Sequence, residues 1–86
     1  MKIVVRVSTV NRTTLKARVL ERETDSQYNA TGPNVELFFA EGTPVVMGSA
    51  RDVVRGAVLF VDGVSTARGK ADIKKIVVLT GYLKVK

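Results

Sequence analysis

Apolar and polar residues alternate along most of this chain, at the period of two that is typical of β-strands. Residues 2–10 alternate in this way, and residues 14–21 do so again. Asn11 and Arg12 lie between the two segments, and Asn tolerates the left-handed backbone conformation that tight turns require. The chain is therefore predicted to begin with a β-hairpin, in preference to one long bent strand.

A polar stretch separates this hairpin from the next strand. Residues 21–34 include the turn cluster Gly32-Pro33-Asn34 and are predicted to form a mobile loop or an extended hairpin tip. The alternation then predicts a third strand that starts at Val35 and is broken at residues 41–44. Residues 45–47 are apolar, so they can resume strand pairing after the break.

The last third of the chain is predicted to contain two more strands, at residues 52–63 and 72–86. The pair Asp62-Gly63 is a strong signal for a hairpin turn and marks the expected end of the fourth strand. Gly81 interrupts the alternation of the fifth strand, as is typical where a strand bends or bulges.

Five short strands and little helix indicate an all-β domain. The one helix candidate, residues 48–54 with Ser49 as N-cap, is long enough for little more than one turn. A small sheet with exposed edges invites aggregation, and closure into a barrel removes these edges. We therefore expect residues 1–86 to form a single domain, a small five-stranded barrel that is closed or partly open.

Two adjacent aromatic residues on the third strand are expected to have different roles. Phe38 and Phe39 are consecutive, so their side chains point to opposite faces of the sheet. Phe39 shares its parity with Leu37 and Val35 and is expected in the core. Phe38 then lies on the outer face, where it is either an exposed stacking platform or covered by a loop.

The chain contains neither cysteine nor histidine, and these absences exclude several kinds of site. Disulfide bonds cannot form, zinc sites of the usual kind lack their ligands, and Ser-His-Asp or Cys-His catalysis is impossible. The carboxylates are dispersed. Asp62 and Asp72 flank one loop, but a turn or loop role is commoner for such residues than metal binding. We therefore expect no enzyme activity, no metal site and no cofactor.

Composition places the chain among folded proteins. Hydrophobic residues make up 45% of the chain, enough for a core, and 26% are charged. The N-terminal segment turns polar too soon for a signal peptide, and no run approaches the roughly 18 apolar residues that cross a bilayer. We therefore expect a cytoplasmic protein without a membrane partner.

The chain is strongly basic. Fourteen Lys and Arg residues against eight Asp and Glu residues give a formal net charge of +6. Residues 68–86 contain six basic residues and a single acidic one, Asp72. Small basic domains attract polyanions, of which nucleic acid is the commonest. The charge favours a nucleic-acid partner without requiring one, since many basic proteins bind none.

The segment DGVSTARGKAD, residues 62–72, has the look of a phosphate-binding loop. A Walker loop needs four residues between its glycines and a Ser or Thr after its Lys. Here five residues separate the two glycines, and Ala71 follows Lys70. A nucleotide-binding loop is therefore not expected. Arg68 and Lys70 are either solvated or contact the phosphates of a nucleic-acid strand.

The segment DVVRGAVLFVDGVSTARGKADIKKIVVLTGYLKV, residues 52–85, resembles the strand, basic loop and strand that end OB-fold domains of the single-stranded nucleic-acid-binding type. The remaining residues match this family only in the order of their strands. The helix that OB-folds usually carry between strands three and four would have to fit within residues 41–52, as a single turn or not at all. Five-stranded SH3-like barrels give similar patterns and are the alternative.

The resemblance implies a binding site. OB domains bind through the outer face around strands two and three, and through the loops between strands one and two and between strands four and five. On this chain that surface corresponds to Lys16, Arg18, Phe38, Arg68 and Lys70. The cationic side chains would neutralise the phosphates of single-stranded DNA or RNA, and the ring of Phe38 would stack on a base.

A protein–protein interaction or assembly module without nucleic-acid binding is the alternative function. Val4, Leu20, Phe38 and Val58 would then form an exposed apolar patch for a second copy of the chain or for another protein. The two functions differ in salt dependence, because only nucleic-acid binding is dominated by electrostatics.

Overall fold

The computed structural model describes all 86 residues, and they form nine β-strands and one turn of 3₁₀ helix. The strands are β1 (Lys2–Val10), β2 (Thr14–Val19), β3 (Glu21–Arg22), β4 (Gln27–Asn29), β5 (Asn34–Phe38), β6 (Val45–Val46), β7 (Val58–Ala67), β8 (Lys70–Val78) and β9 (Lys84–Val85). The 3₁₀ turn covers Ala50–Asp52 and connects β6 to β7.

The five longest strands form a closed barrel. Neighbouring strands lie in the order β5-β2-β1-β7-β8, each antiparallel to the next. A parallel pairing of β5 with β8, in which Leu37 faces Ala71, closes the barrel. The short strand β6 extends it by pairing in parallel with β8 at Ile76 and Val77. The expected all-β five-stranded barrel is confirmed.

The strands follow a Greek-key path. β1, β2 and β5 are consecutive antiparallel neighbours in the barrel, and β7 returns to lie on the free side of β1. This order, in which the fourth barrel strand lies beside the first, defines the Greek key. A small closed barrel with this order is consistent with an OB-like fold.

Alternating residues of the barrel strands fill its interior. No polar or charged side chain is buried, so the core holds only apolar groups. Six large side chains are fully buried in it: Val5, Leu15, Leu37, Leu59, Val61 and Ile76. Burial of apolar area is the main favourable contribution to the stability of such a domain.

The predicted first hairpin and the predicted faces of the third strand are both present. β1 and β2 pair in antiparallel fashion on either side of the turn at Asn11. Phe39 is half-buried and packs against the core, whereas Phe38 is 48% exposed on the outside. The period of two therefore predicted these side-chain directions correctly.

The prediction of a hairpin turn at Asp62-Gly63 was wrong. β7 continues through this pair to Ala67, and the turn is formed by Arg68 and Gly69. The strand register shifts at Asp62-Gly63, which is the mark of a β-bulge. A Cβ atom on Gly63 would lie 2.4 Å from the carbonyl oxygen of Asp72. Glycine is needed here for the close approach of two strands.

The polar stretch after β2, for which a mobile loop or an extended hairpin tip was predicted, forms a hairpin that belongs to a small second sheet. β3 and β4 pair in antiparallel fashion, and β9 adds to β4 in parallel. The fifth predicted strand is shorter than expected, because β8 ends at Val78. Gly81, at φ 87°, lies in the turn between β8 and β9, so it follows the strand and does not bend it.

The connector between β5 and β7 contains the single helical turn that the sequence predicted. The backbone N–H of Ser49, the residue before the turn, donates a 2.8 Å hydrogen bond to the carboxylate of Asp52. This bond satisfies a backbone donor at the start of the turn. No helix of this protein has the length and apolar character needed to span a bilayer.

Candidate functional site

A groove crosses the outer face of β2 and β5. It consists of two adjoining clefts of about 480 and 510 Å³ that share Thr9, Lys16 and Glu36. The first cleft reaches Arg68 and Lys70 at the β7–β8 turn, and the second reaches the β1–β2 turn at residue 11. The groove thus runs from one turn to the other.

The centre of the groove is one rung of the sheet that spans three strands. Lys16 on β2 faces Glu36 on β5, and Glu36 faces Lys70 on β8. Since adjacent strands lie about 4.8 Å apart, the backbones of the two lysines are about 10 Å apart. Glu36 is half-buried and forms no ion pair within 4 Å with either lysine.

Arg68 projects from a tight two-residue turn and not from the longer loop that the sequence predicted. Ala67 and Lys70 are paired on either side of this turn, and Gly69 adopts φ 73°. The backbone N–H of Glu36 donates a 2.8 Å hydrogen bond to the carbonyl oxygen of Gly69. This bond ties the turn to β5, so Arg68 is held at the end of the groove.

Arg18 lies on the same face of β2 as Lys16, two residues further along the strand, and outside both clefts. It faces Asn34 on β5 and Arg6 on β1. Its Nε donates a 3.1 Å hydrogen bond to the carbonyl oxygen of Gly32, which orients the guanidinium toward the β4–β5 connection. Arg6 is exposed and extends the positive surface, although it is not among the residues predicted for the site.

Phe38 lies on the same face of β5 as Glu36, two residues further along the strand. It faces Thr14 on β2 and Asp72 on β8. With 48% of its surface exposed, its ring is accessible beside the groove. The second exposed aromatic residue, Tyr82, is 65% exposed and lines neither cleft.

Neutral polar residues of the groove were missed by the sequence analysis. A bulge in β1, between Val7 and Thr9, leaves both Ser8 and Thr9 exposed on the groove side. Thr14 has the same parity on β2 as Lys16, and this parity could have predicted its place in the groove. Hydroxyl groups here offer hydrogen-bond donors and acceptors to a ligand.

The positive charges of the groove are not neutralised by contacts within the protein. Of the 14 basic residues, only Arg22 and Lys86 lie within 4 Å of a carboxylate; Arg22 is in β3 of the second sheet and Lys86 directly follows β9. Lys16, Lys70 and Arg68 are exposed and without an ion pair. The groove therefore presents free cations to solvent.

The dispersed carboxylates remain dispersed in the folded chain. No three side chains of Asp, Glu, His or Cys come together in a group that could hold a metal ion. Asp62 and Asp72 are paired with Lys75 and Val64, respectively, in the β7–β8 ladder. They belong to different rungs of that ladder.

Comparisons with protein-family models, with curated proteins and with solved structures gave no match for this chain. What can be inferred about function therefore depends on the groove itself. Its distinguishing features are three free cations, one embedded carboxylate and an exposed aromatic ring at its side.

Proposed function

We propose that this protein is an OB-like domain that binds single-stranded DNA or RNA in the groove across β2 and β5. The observation that carries the proposal is the convergence of Lys16 on β2 with Arg68 and Lys70 at the β7–β8 turn, from two distant parts of the chain, on one cleft. Lysine and arginine side chains without carboxylate partners attract phosphate groups and release the counterions of a nucleic acid.

The fold supports this proposal through the position of the groove. In OB-folds the ligand lies across strands two and three, between the loop that joins strands one and two and the loop that joins strands four and five. The corresponding barrel strands here are β2 and β5, and the groove ends at the corresponding turns. The Greek-key order favours an OB-like barrel over the SH3-like alternative.

Phe38 supports a single-stranded ligand over a duplex. The bases of a single strand are free to leave their stack and lie on an aromatic ring, which is a contact that every base can make. Phe38 is exposed beside the cations, so one base can stack while the neighbouring phosphates contact Lys16 and Lys70. Such contacts carry little sequence preference.

Glu36 sets a limit on affinity in this proposal. Its carboxylate lies between two lysines in the same rung and repels a phosphate that approaches either of them. Binding is therefore expected to be modest and to weaken steeply as salt rises.

The test is fluorescence anisotropy with labelled oligothymidylate and oligouridylate of about 15 nucleotides, close to the upper site size of an OB domain. The site variant carries Lys16→Ala, Arg68→Ala and Lys70→Ala. The matched control carries Lys74→Ala, Lys75→Ala and Lys84→Ala, which removes the same charge from exposed residues outside the groove.

The proposal predicts binding by the natural chain at about 50 mM salt, little loss in the control and loss of at least tenfold in the site variant. Equal losses in both variants would show that affinity depends on the net charge of the protein and not on the groove, which would contradict the proposed site. No binding to either oligonucleotide at low salt would disprove the proposal.

The apolar patch expected for an assembly module does not form. Leu20 and Val58 are 5% and 6% exposed, so they belong to the interior. Val4 is half-buried, and Phe38 alone of the four is exposed. A different surface favours protein binding, and it lies away from the groove.

A further inference from the structure

A third cleft, of about 550 Å³, shares no residue with the groove. It lies between the 3₁₀ turn, the start of β7 and the turn after β8. Its lining includes Met47, Arg51, Val54, Arg55, Thr80 and Tyr82.

Exposed apolar side chains are concentrated around this cleft. Met47, Val54 and Tyr82 are 56%, 52% and 65% exposed. Single exposed apolar residues are common on protein surfaces, but a group of them beside a cleft marks an interaction site. Methionine adapts its shape to the surface it contacts, which suits a binding surface.

Met47 is held in a strained conformation. Its φ is 58°, in the left-handed region that side chains larger than glycine rarely adopt. The next residue is tightly packed, because a Cβ on Gly48 would lie 2.7 Å from Oδ2 of Asp52 and 2.9 Å from Cγ2 of Val78. Backbone strain of the kind seen at Met47 is concentrated at functional sites.

Two arginines give the cleft a positive charge. Arg51 and Arg55 are exposed, and neither lies within 4 Å of a carboxylate. Asp52 is the one acidic residue in the lining, and its Oδ2 already accepts the 2.8 Å hydrogen bond from the backbone of Ser49. The guanidinium groups are therefore free to bind carboxylates, which they match with two parallel hydrogen bonds.

We propose that this cleft binds an acidic peptide segment of a partner protein. Its carboxylates pair with Arg51 and Arg55, and an apolar side chain packs against Met47, Val54 and Tyr82. The aliphatic residues Met47 and Val54 in the lining favour a peptide over a nucleic acid, because a nucleic acid offers rings and phosphates but no apolar side chain. This inference uses no residue of the groove, so it stands or falls separately from nucleic-acid binding.

The test is a titration of the ¹⁵N-labelled full chain with a synthetic peptide that has a Leu-Phe pair between two runs of aspartate. A second peptide replaces the Leu-Phe pair with serines. The proposal predicts saturable shifts of amide resonances at Val54, Gly56 and Thr80, with a dissociation constant of about 1 mM or tighter. The serine peptide should bind at least about fivefold more weakly, because it lacks the apolar contact.

Two variants locate the binding. Arg51→Glu with Arg55→Glu should weaken binding of the first peptide at least about tenfold, because the carboxylates are then repelled. Lys16→Glu with Lys70→Glu reverses the same number of charges in the groove and should leave peptide binding unchanged.

Four results of the titrations would overturn the proposal. They are the absence of any shift, shifts confined to the groove residues, equal loss in both variants, and displacement of the peptide by oligothymidylate from the same amides. Light scattering of the unliganded chain tests whether a second copy of the chain occupies the cleft. A dimer that dissociates in the Arg51→Glu, Arg55→Glu variant would assign the cleft to that second copy.

Discussion

Lys16 and Lys70 line the same cleft although their strands, β2 and β8, are not neighbours in the barrel. β5 lies between the two strands and places Glu36 in the rung that joins the lysines. The closing pair of strands therefore creates the cation cluster and also introduces the carboxylate that weakens it.

The substitution Lys70→Ala should weaken oligothymidylate binding about three- to tenfold and reduce the salt slope of the binding constant by about 1, because one phosphate contact is lost. Thermal denaturation should be unchanged, since the side chain is exposed and unpaired. Anisotropy titrations between about 50 and 200 mM salt measure the slope. Lys74→Ala is the matched control, and an equal change in its slope would contradict the assignment.

Glu36→Gln should strengthen nucleic-acid binding, by about three- to tenfold at low salt. The substitution keeps the shape of the side chain and removes the one negative charge from the first cleft. The same titrations measure the gain, which should shrink as salt rises. Glu41→Gln removes an exposed charge outside the groove and should have little effect. Unchanged or weaker binding by the Glu36 variant would show that phosphates do not approach this rung.

The substitutions Phe38→Ala and Phe39→Ala should have different effects: the first should weaken nucleic-acid binding and the second should lower the stability of the fold. Phe38→Ala should lose about 1–3 kcal/mol of binding free energy and little stability, because its exposed ring contacts the ligand in our proposal. Phe39→Ala should lose about 1–3 kcal/mol of stability, since its half-buried ring packs against the core. Urea denaturation and anisotropy together measure both effects. Unchanged binding in Phe38→Ala would remove the stacking contact from the proposal.

Gly63→Ala should be the most destabilising glycine substitution in the β7–β8 hairpin, at a cost of about 2–3 kcal/mol or more. Its Cβ would meet the backbone carbonyl of Asp72, which cannot move without breaking the ladder. Gly69→Ala is the comparison: it meets nothing closer than 3.9 Å and should cost about 1 kcal/mol for its positive φ. Urea midpoints give both values, and the reverse order would contradict the bulge at Gly63.

Met47→Gly should stabilise the protein by about 0.5–1 kcal/mol and weaken binding of the acidic peptide. Relief of the left-handed strain at φ 58° outweighs the added flexibility of glycine in the unfolded chain. The lost side chain no longer contacts the apolar part of the peptide. Urea denaturation measures the first effect and the NMR titration the second. A variant that is more stable and binds the peptide equally well would leave Met47 outside the site.

Local pattern was sufficient to predict the five barrel strands, though not all of their ends, and the faces of most of their side chains. Directions alternate along any strand, so the positions of Val5, Leu15 and Phe38 followed from parity alone. Local turn chemistry did not predict the position of the turn between β7 and β8. Asp62-Gly63 has the composition of a hairpin turn, yet its glycine serves a bulge, because the pairing of β7 with β8 outweighs a local preference.

The sequence by itself determined an all-β chain, the faces of most strand residues and the excess of positive charge, since these depend on composition and on neighbours along the chain. Only the tertiary structure decided which charges meet. Lys16, Glu36 and Lys70 share a rung because β5 pairs with β8, and Arg51 and Arg55 lie beside Tyr82 because the connector folds against the end of β8. Contacts between residues so distant in sequence are set by strand register and barrel closure, which no local pattern encodes.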